Sequence, residues 1–346
     1  MQLLETLTLD RVAPMKNLAT TKISVLDLAK VTEGQDFKAA FENSKITAQH
    51  AEKLGYTRFW LAEHHNIEGV ASAATSVLIG YVAENTKTIR VGSGGIMLPN
   101  HSPLVIAEQF GTLASLYPDR IDLGLGRAPG TDQATMKAIR GEKAPPAEFS
   151  VLIDELQHYF APAEPGQKVR AIPGQGIDMP LYILGSSLYS AQLAAMLGRP
   201  YSFAGHFAPA MLGRALDIYR SMFKPSKYLS KPYVIIGVPV IGAETDAKAE
   251  FISSSLKLAF LNMVRGQRRL GQPPVEDIDS IWTPQEKQFV FSMLGLLVTG
   301  GKEKVRAGLD KLIADTNADE LMITSDTYNF ADRLKSLEVI AAAKAL

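Results

Sequence analysis

The chain has 346 residues, of which 46% are hydrophobic and 21% charged, as in an ordinary globular protein with a sizeable core. Its 36 Lys and Arg residues balance 36 Asp and Glu residues, which argues against nucleic acid or an anionic membrane as the main partner. The absence of cysteine excludes disulfides, a thiolate nucleophile and Cys-ligated zinc. No apolar run approaches the roughly 20 residues of a membrane span, and the first ten residues make a poor signal peptide, so we expect a cytoplasmic protein.

Short apolar runs alternate with longer helical patterns from residue 22 onward. Most runs are continuously apolar, which is typical of parallel strands covered on both faces. They predict eight strands, KISVLDL (22–28), TRFWLAEH (57–64), TIRVGSG (88–94), RIDLGLGR (120–127), PLYILGS (180–186), YSFAG (201–205), YVIIGVPVIG (233–242) and ELMITS (320–325). The intervening helical patterns include 37–55, 73–85, 103–117 and 188–198.

This alternation predicts an α/β protein with a TIM (β/α)8 barrel. We expect a single barrel domain at 21–346, preceded by an N-terminal arm at 1–20. The barrel carries insertions, because residues 141–180 contain six prolines and residues 243–319 form a long gap between the last two strands. We expect two helices and a mobile loop in that gap.

Residues typical of helix ends support the predicted helix boundaries. Ser102 followed by Pro103 predicts a helix start, and Thr283 with Glu286 predicts a capping box. Gly55 and Gly198 fit helix C-caps.

Polar residues and glycines follow five consecutive strands, where a core would require aliphatic side chains. The carboxyl ends of parallel strands meet at one mouth, and active sites form there. The sequence therefore predicts one site built from the residues at these ends, which are Glu63, His64, His65, Gly94, Gly95, Gly126, Arg127, Gly185, Ser186, Ser187, Gly205 and His206.

The clearest anion site begins at Gly185, where Ser186 and Ser187 run straight into a helix. The free N–H groups of a helix start and the hydroxyls, with Ser190 one turn on, suit a phosphate that Arg127 would pair with. The alternative is a serine N-cap beside a solvated arginine. The nearby glycines at 124, 126 and 130 have the wrong spacing and place for a dinucleotide fingerprint.

Three interpretations compete for His64, namely a catalytic acid/base, a metal ligand and a structural residue. A metal site would need His101 and His206 to converge on it, yet no H-x-H or HExxH pattern is present. Gly94-Gly95 indicates either a special backbone conformation or close packing under a ligand ring.

Together these residues resemble the bacterial luciferase-like flavin monooxygenase family over about residues 22–345. The most specific stretches are YTRFWLAEHHN (56–66), residues 91–132 and LYILGSSLYSAQLAAMLG (181–198), and GRAPGTD is typical of a single-chain subgroup. The resemblance implies a TIM barrel with a site for FMN.

The resemblance also implies a role for individual residues. His64 matches the catalytic histidine, with Glu63 beside it in the pocket, and Gly94-Gly95 falls where relatives place a cis peptide under the isoalloxazine ring. The phosphate-binding positions fall on Arg127, Ser186, Ser187 and Ser190. Luciferases carry an acidic residue where this chain has Ser186, and Arg140 is the candidate for a second phosphate-side arginine.

The implied activity is monooxygenation, in which reduced FMN and dioxygen oxygenate an unidentified small organic substrate. His64 would act as general acid/base, and the region at 243–319 would be a lid. A separate flavin reductase is an expected partner, the chain is expected to form a homodimer, and a deazaflavin is a variant cofactor. Two alternatives stay open. They are a metal-dependent TIM-barrel hydrolase that uses His64, His101 and His206, and a non-catalytic flavin-binding accessory protein.

Overall fold

Eight parallel strands close into a barrel in a computed structural model that describes residues 16–141 and 148–346. The strands within these residues are β1 (Lys22–Asp27), β2 (Arg58–Leu61), β3 (Arg90–Met97), β4 (Ile121–Gly126), β5 (Leu181–Gly185), β6 (Tyr201–Phe203), β7 (Val234–Gly242), β8 (Val298–Gly300) and β9 (Glu320–Thr324). The barrel runs from β1 to β7 in sequence order, and β9 pairs with both β7 and β1 to close it. This topology confirms the predicted TIM barrel.

Helices surround the barrel. They are α1 (Phe37–Lys53), α2 (Thr75–Glu84), α3 (Pro103–Leu116), α4 (Gln133–Arg140), α5 (Phe149–Phe160), α6 (Leu188–Met196), α7 (Leu212–Met222), α8 (Asp246–Val264), α9 (Pro284–Met293), α10 (Lys302–Thr316) and α11 (Phe330–Lys344). The predicted capping box of Thr283 is present at α9, whereas Ser102 makes no side-chain cap bond at α3. Gly55 and Gly198 end α1 and α6 with φ of +77° and +58°, so both predicted C-caps are confirmed.

The sequence prediction was wrong about the elements between β7 and β9. This region holds three helices, α8 to α10, and the extra strand β8, which pairs with the end of β7 outside the closed barrel. The predicted insertion at 141–180 contains α5, which packs against α3 and therefore belongs to the helical layer. Residues 142–147 of that segment lie outside the described residues.

Residues 16–21 lie against the end of the barrel where the strands begin. Leu18 is fully buried, and its N–H donates to Asp310 Oδ1 over 2.6 Å. Lys344 Nζ donates to the carbonyl of Leu18 over 2.8 Å and to that of Ala19 over 3.0 Å. This part of the predicted arm is thus packed on α10 and α11, while residues 1–15 lie outside the described residues.

Side chains alternate along β2 between the outer and inner layers of the barrel. Phe59 and Leu61 join the large cluster between strands and helices. Trp60 and Ala62 instead pack with residues of β1, β5, β7 and β9 inside the barrel. The same alternation directs the residues that follow β2.

A charged layer fills the barrel where the strands begin. Arg58 contacts Glu320 (Nε to Oε1, 2.7 Å) and Asp122 (Nη1 to Oδ2, 2.7 Å), and Arg90 Nη2 binds the other Asp122 oxygen at 2.6 Å. Tyr233 donates to Glu320 over 2.7 Å. Burial alone would lower the pKa of Arg58, but the carboxylates of Glu320 and Asp122 outweigh it and raise that pKa. The two arginines and two carboxylates form a neutral, bonded set.

The segment between α8 and α9, residues 265–283, lies against loops at the opposite end of the barrel, and we call it the cover segment. Arg268 donates to the carbonyl of Asn66 and to Asp132 Oδ2, both over 2.8 Å. Gly271 donates its N–H to the carbonyl of Val31 over 2.9 Å. The cover segment therefore joins the loops that follow β1, β2 and β4.

We expect Arg58→Met to lower the free energy of unfolding by about 3–5 kcal/mol, because it leaves Glu320 buried without a counter-charge and Asp122 with Arg90 alone. Urea titration measures the change. Lys311→Met is the control, since Lys311 is 76% exposed in its ion pair with Asp315 and its loss should cost at most about 1 kcal/mol. Similar losses for both variants would contradict a structural role for the charged layer.

Candidate active site

His64 lies at the mouth of the barrel, two residues beyond the inward-facing Ala62 on the same face of β2. Its ring is partly buried, and burial lowers its pKa; the positive charge of Lys30 acts in the same direction. The carbonyl of Gly130 favours the protonated form but does not overcome burial. His64 is therefore a neutral imidazole near pH 7, able to accept a proton.

His206 follows β6 and interacts electrostatically with His64 across the mouth. Burial lowers the pKa of His206 to about 4, with Asp326 opposing and His64 reinforcing that shift. Its Nδ1 atom is buried without a hydrogen-bond partner among the described residues. Lys30 and Asp326, whose charged atoms lie 3.7 Å apart, complete this polar side of the mouth.

Glu63 faces a different environment from His64. Its side chain is 1% exposed, and its carboxylate accepts from His65 Nε2 (2.8 Å), His101 Nε2 (2.9 Å) and the N–H of Met97 (2.9 Å). Burial would raise the pKa of Glu63, but these bonds, led by His101, lower it overall. The structure therefore ties Glu63 to the loop after β3. The negative charge of Glu63 also acts on His64, where it opposes the lowering of the His64 pKa.

The floor of the mouth is the backbone of Gly94 and Gly95. The peptide bond between them is cis, as the resemblance implied. A Cβ atom at Gly94 would lie 2.6 Å from Leu26 Cδ1, and one at Gly95 would lie 2.8 Å from the carbonyl oxygen of Gly124. Only glycine fits at either position, because neighbouring atoms already occupy the space that a side chain would need.

The predicted anion corner lies at the start of α6. Ser187 is its N-cap and accepts from the N–H of Ser190 over 3.5 Å. Ser190 is buried, and its hydroxyl donates to the carbonyl of Ser187 over 2.8 Å, so its one proton is already used. Ser186, Ser187 and the first N–H groups of α6 are the donors left for an anion.

Arg127 reaches this corner from the end of β4. Its side chain is exposed, and its guanidinium carbon lies 4.5 Å from the ring centroid of Tyr189, in the first turn of α6. Both residues line a cavity of about 360 Å³ that Arg140 also lines. Arg140 Nε donates to Asn100 Oδ1 over 3.0 Å. The structure thus brings Arg127, Arg140 and the α6 start together, as the sequence predicted.

The alternative metal site lacks a converging set of ligands. His101 is bonded to Glu63, whereas His64 acts on His206 only electrostatically. In the part of the chain that the structure describes, no three His, Asp or Glu side chains are arranged to hold a metal ion.

Three residues of the mouth were absent from the sequence prediction. Lys30 and Asp326 follow β1 and β9, two strands whose ends carry no glycine or histidine to attract attention. Tyr189 lies within the LYS run after the predicted serines, but its contact with Arg127 joins two segments about 60 residues apart in sequence. A search for polar residues just beyond every predicted strand would have found the first two.

The profile of the family described as luciferase-like monooxygenase matches residues 21–319. An Escherichia coli (strain K12) protein named luciferase-like monooxygenase is 50% identical over 326 residues, which cover 94% of this chain and 97% of that relative. The chain therefore belongs to the luciferase-like monooxygenase family. A Bacillus subtilis (strain 168) protein named N-acetyl-S-alkylcysteine monooxygenase is 30% identical over 341 residues, covering 93% of this chain and 98% of the relative.

Solved structures share the fold. That of apo-MsnO8 is 35% identical, covers 94% of this chain and 99% of its own, and has a TM-score of 0.84. Two structures at 14% identity show the fold alone. One is the oxygenating constituent of 3,6-diketocamphane monooxygenase from Pseudomonas putida in complex with FMN, with a TM-score of 0.68, 93% of this chain covered and 97% of that chain. The other is an F420-dependent secondary alcohol dehydrogenase in complex with an F420-acetone adduct. Its TM-score is 0.64, and the match covers 94% of this chain and 99% of that chain. Across the described residues, no helix is both long and apolar enough to span a membrane.

We expect acid to destabilise the fold through His206. Below about pH 6.5 the unfolded chain protonates this histidine, but the folded chain does so only near pH 4. The free energy of unfolding should therefore fall as the pH drops from about 6.5 towards 4. Urea titrations over this range measure the fall, which should be smaller in His206→Asn. His158→Asn, at an exposed position on α5, should keep the wild-type fall, and an unchanged fall in His206→Asn would contradict the assignment.

Proposed function

We propose that this protein is a flavin-dependent monooxygenase that uses reduced FMN and dioxygen to oxygenate a small organic substrate. The observation that carries the proposal is the arrangement of the mouth. The anion corner at α6 and the neutral imidazole of His64 come from different strand ends, with the side-chain-free floor of Gly94 and Gly95 on the strand between them.

The residues at the anion corner fit the phosphate of FMN. Arg127 and Arg140 supply positive charge from the cavity wall, and Ser186, Ser187 and the first N–H groups of α6 supply donors. Ser190 holds Ser187 in place through its bond to the Ser187 carbonyl, so we propose a supporting role for it. Gly185 is required there because a Cβ atom would lie 2.4 Å from Ser190 Oγ.

The isoalloxazine ring would cover Gly94 and Gly95. When bound, reduced FMN supplies the two electrons with which dioxygen yields one oxygen atom to the substrate and one to water. Gly94 and Gly95, which carry no side chains of their own, would line the ring site. A deazaflavin would need the same floor, so the choice between the two cofactors is left to binding measurements.

We assign the proton transfer of the reaction to His64. Because burial keeps the imidazole of His64 neutral, His64 can accept a proton at the mouth early in the reaction and donate it back at the end of the catalytic cycle. For Glu63 we propose a positioning role. Its bonds to His65, His101 and Met97 N–H fix the chain on either side of His64 and the loop after β3.

The cover segment would exclude water from the mouth. Its bonds to the loops after β1, β2 and β4 place it at the end of the barrel that carries His64 and Arg127. In a site open to water, reduced flavin can lose its electrons to dioxygen without oxygenating the substrate. Closure of the site therefore favours the productive reaction. We propose that a separate flavin reductase delivers the reduced cofactor.

Replacement of Arg127 by methionine should weaken FMN binding by about 10- to 100-fold, the effect of losing a charge-assisted bond of about 1.5–3 kcal/mol. Titration of FMN fluorescence measures the dissociation constant, and the same titration with a deazaflavin identifies the preferred cofactor. Arg170→Met is the matched control, because Arg170 is exposed on the loop between α5 and β5, away from the mouth. Equal affinities for the two variants would remove Arg127 from the site.

We expect His64→Ala to bind FMN as the wild type does but to lose about 10²- to 10⁴-fold in turnover, as for a missing general acid/base. Product is followed with reductase-supplied FMN and a panel of aldehydes and thioethers. The panel includes an N-acetyl-S-alkylcysteine because a relative is named for it. His158→Ala is the surface control. If the wild type and the variants all bind flavin, but none forms product or accelerates flavin reoxidation, the accessory-protein alternative would be favoured.

A further inference from the structure

A second cavity lies at the end of the barrel opposite the mouth. It has a volume of about 280 Å³ and is enclosed by α5, the loops that precede β5 and β6, and the loop between α7 and β7. Its polar lining residues are Gln157, Asp178, Arg199, Lys227 and Tyr228. None of them belongs to the proposed flavin site, so a ligand bound in this cavity would be independent of the flavin.

Arg199 is the unusual member of this lining. The residue is 3% exposed, and Nη2 donates to Gln157 Oε1 over 2.7 Å. Nε is buried without a partner, and among the described residues no carboxylate lies within 4 Å of the guanidinium. Arginine keeps its charge in proteins, so this is a buried cation without a counter-charge, which is costly.

A second cation adds to the positive charge of the cavity. The guanidinium carbon of Arg199 lies 3.1 Å from the ring centroid of Tyr228, and Lys227 Nζ lies 4.8 Å from the same centroid. Cation–π contact compensates only part of the cost of burying a charge. Burial lowers the pKa of Arg199, and Tyr228 and the exposed Asp178 oppose that shift without overcoming it.

We propose that this cavity binds a small carboxylate, with Arg199 and Lys227 as its counter-charges. Two cations and one carboxylate, Asp178, leave the lining with a net charge of +1, which matches a monoanion better than a dianion. A guanidinium pairs with a carboxylate through two parallel bonds. The volume lies just below the roughly 300 Å³ at which pockets for drug-sized ligands begin, so the cavity suits a small acid and not a nucleotide.

Thermal unfolding in sodium acetate, with sodium chloride at matched ionic strength as reference, tests the site. A ligand that binds only the folded chain raises the melting temperature in a saturable way. We expect this rise in the wild type and in Arg127→Met, whose altered anion corner lies at the other end of the barrel. In Lys227→Met, an exposed position, acetate affinity should fall about tenfold or more.

Arg199→Met separates loss of the site from loss of the fold. Because it removes a buried charge that lacks a counter-charge, it should raise the melting temperature in chloride while abolishing the acetate effect. In Arg127→Met, whose anion corner is weakened, a smaller rise with phosphate than with acetate would support the preference for a monoanion, and a larger one would overturn it. Three outcomes would contradict the proposed site: acetate raises the melting temperature no more than chloride does, its effect is unchanged in both Lys227→Met and Arg199→Met, or its effect is lost only in Arg127→Met.

Discussion

The charged layer around Arg58 fixes the positions of the strands that carry the site. Arg58 belongs to β2, and its two carboxylate partners belong to β4 and β9, so one guanidinium ties three strands at a single height in the barrel. A slip of one residue in β2 would turn His64 outward and Glu63 inward, because side chains alternate along a strand. Such a slip would also separate Arg58 from Asp122 and Glu320. The geometry of the mouth at one end of the barrel thus depends on electrostatics at the other.

The polar groups at the mouth are of two kinds, those with hydrogen-bond partners and those without. Glu63 has a donor for each oxygen, supplied by its two histidines and the N–H of Met97. His206 Nδ1 and one oxygen of Asp326 are buried without partners among the described residues. Unsatisfied groups of this kind persist where a ligand or a reaction requires them. They are gathered on the His64 side of the floor, away from the anion corner.

The sequence was sufficient for the barrel because its strands are continuous apolar runs, which only a sheet covered on both faces explains. It also placed Gly94-Gly95, Arg127 and the serines at the mouth, because each lies at or just beyond the end of a strand, while their roles stay predictions. It was insufficient for β8, a three-residue strand whose pairing with β7 is decided by tertiary contacts. The partners of Arg58 and Glu63 could not be predicted either. A charged residue in an apolar strand indicates that a partner exists, but Glu320 lies 262 positions from Arg58 in the sequence.

The two attachments of the cover segment differ in kind, and they respond differently to the medium. The bond between Gly271 and Val31 joins uncharged backbone groups, whereas Arg268 and Asp132 are 47% and 30% exposed charges. Dissolved ions screen attraction between exposed charges but leave a backbone bond almost unaffected. Concentrated salt should therefore weaken the attachment between Arg268 and Asp132 before it affects the attachment between Gly271 and Val31. Ionic strength, rather than temperature, is the variable that would separate opening of the mouth from unfolding of the barrel.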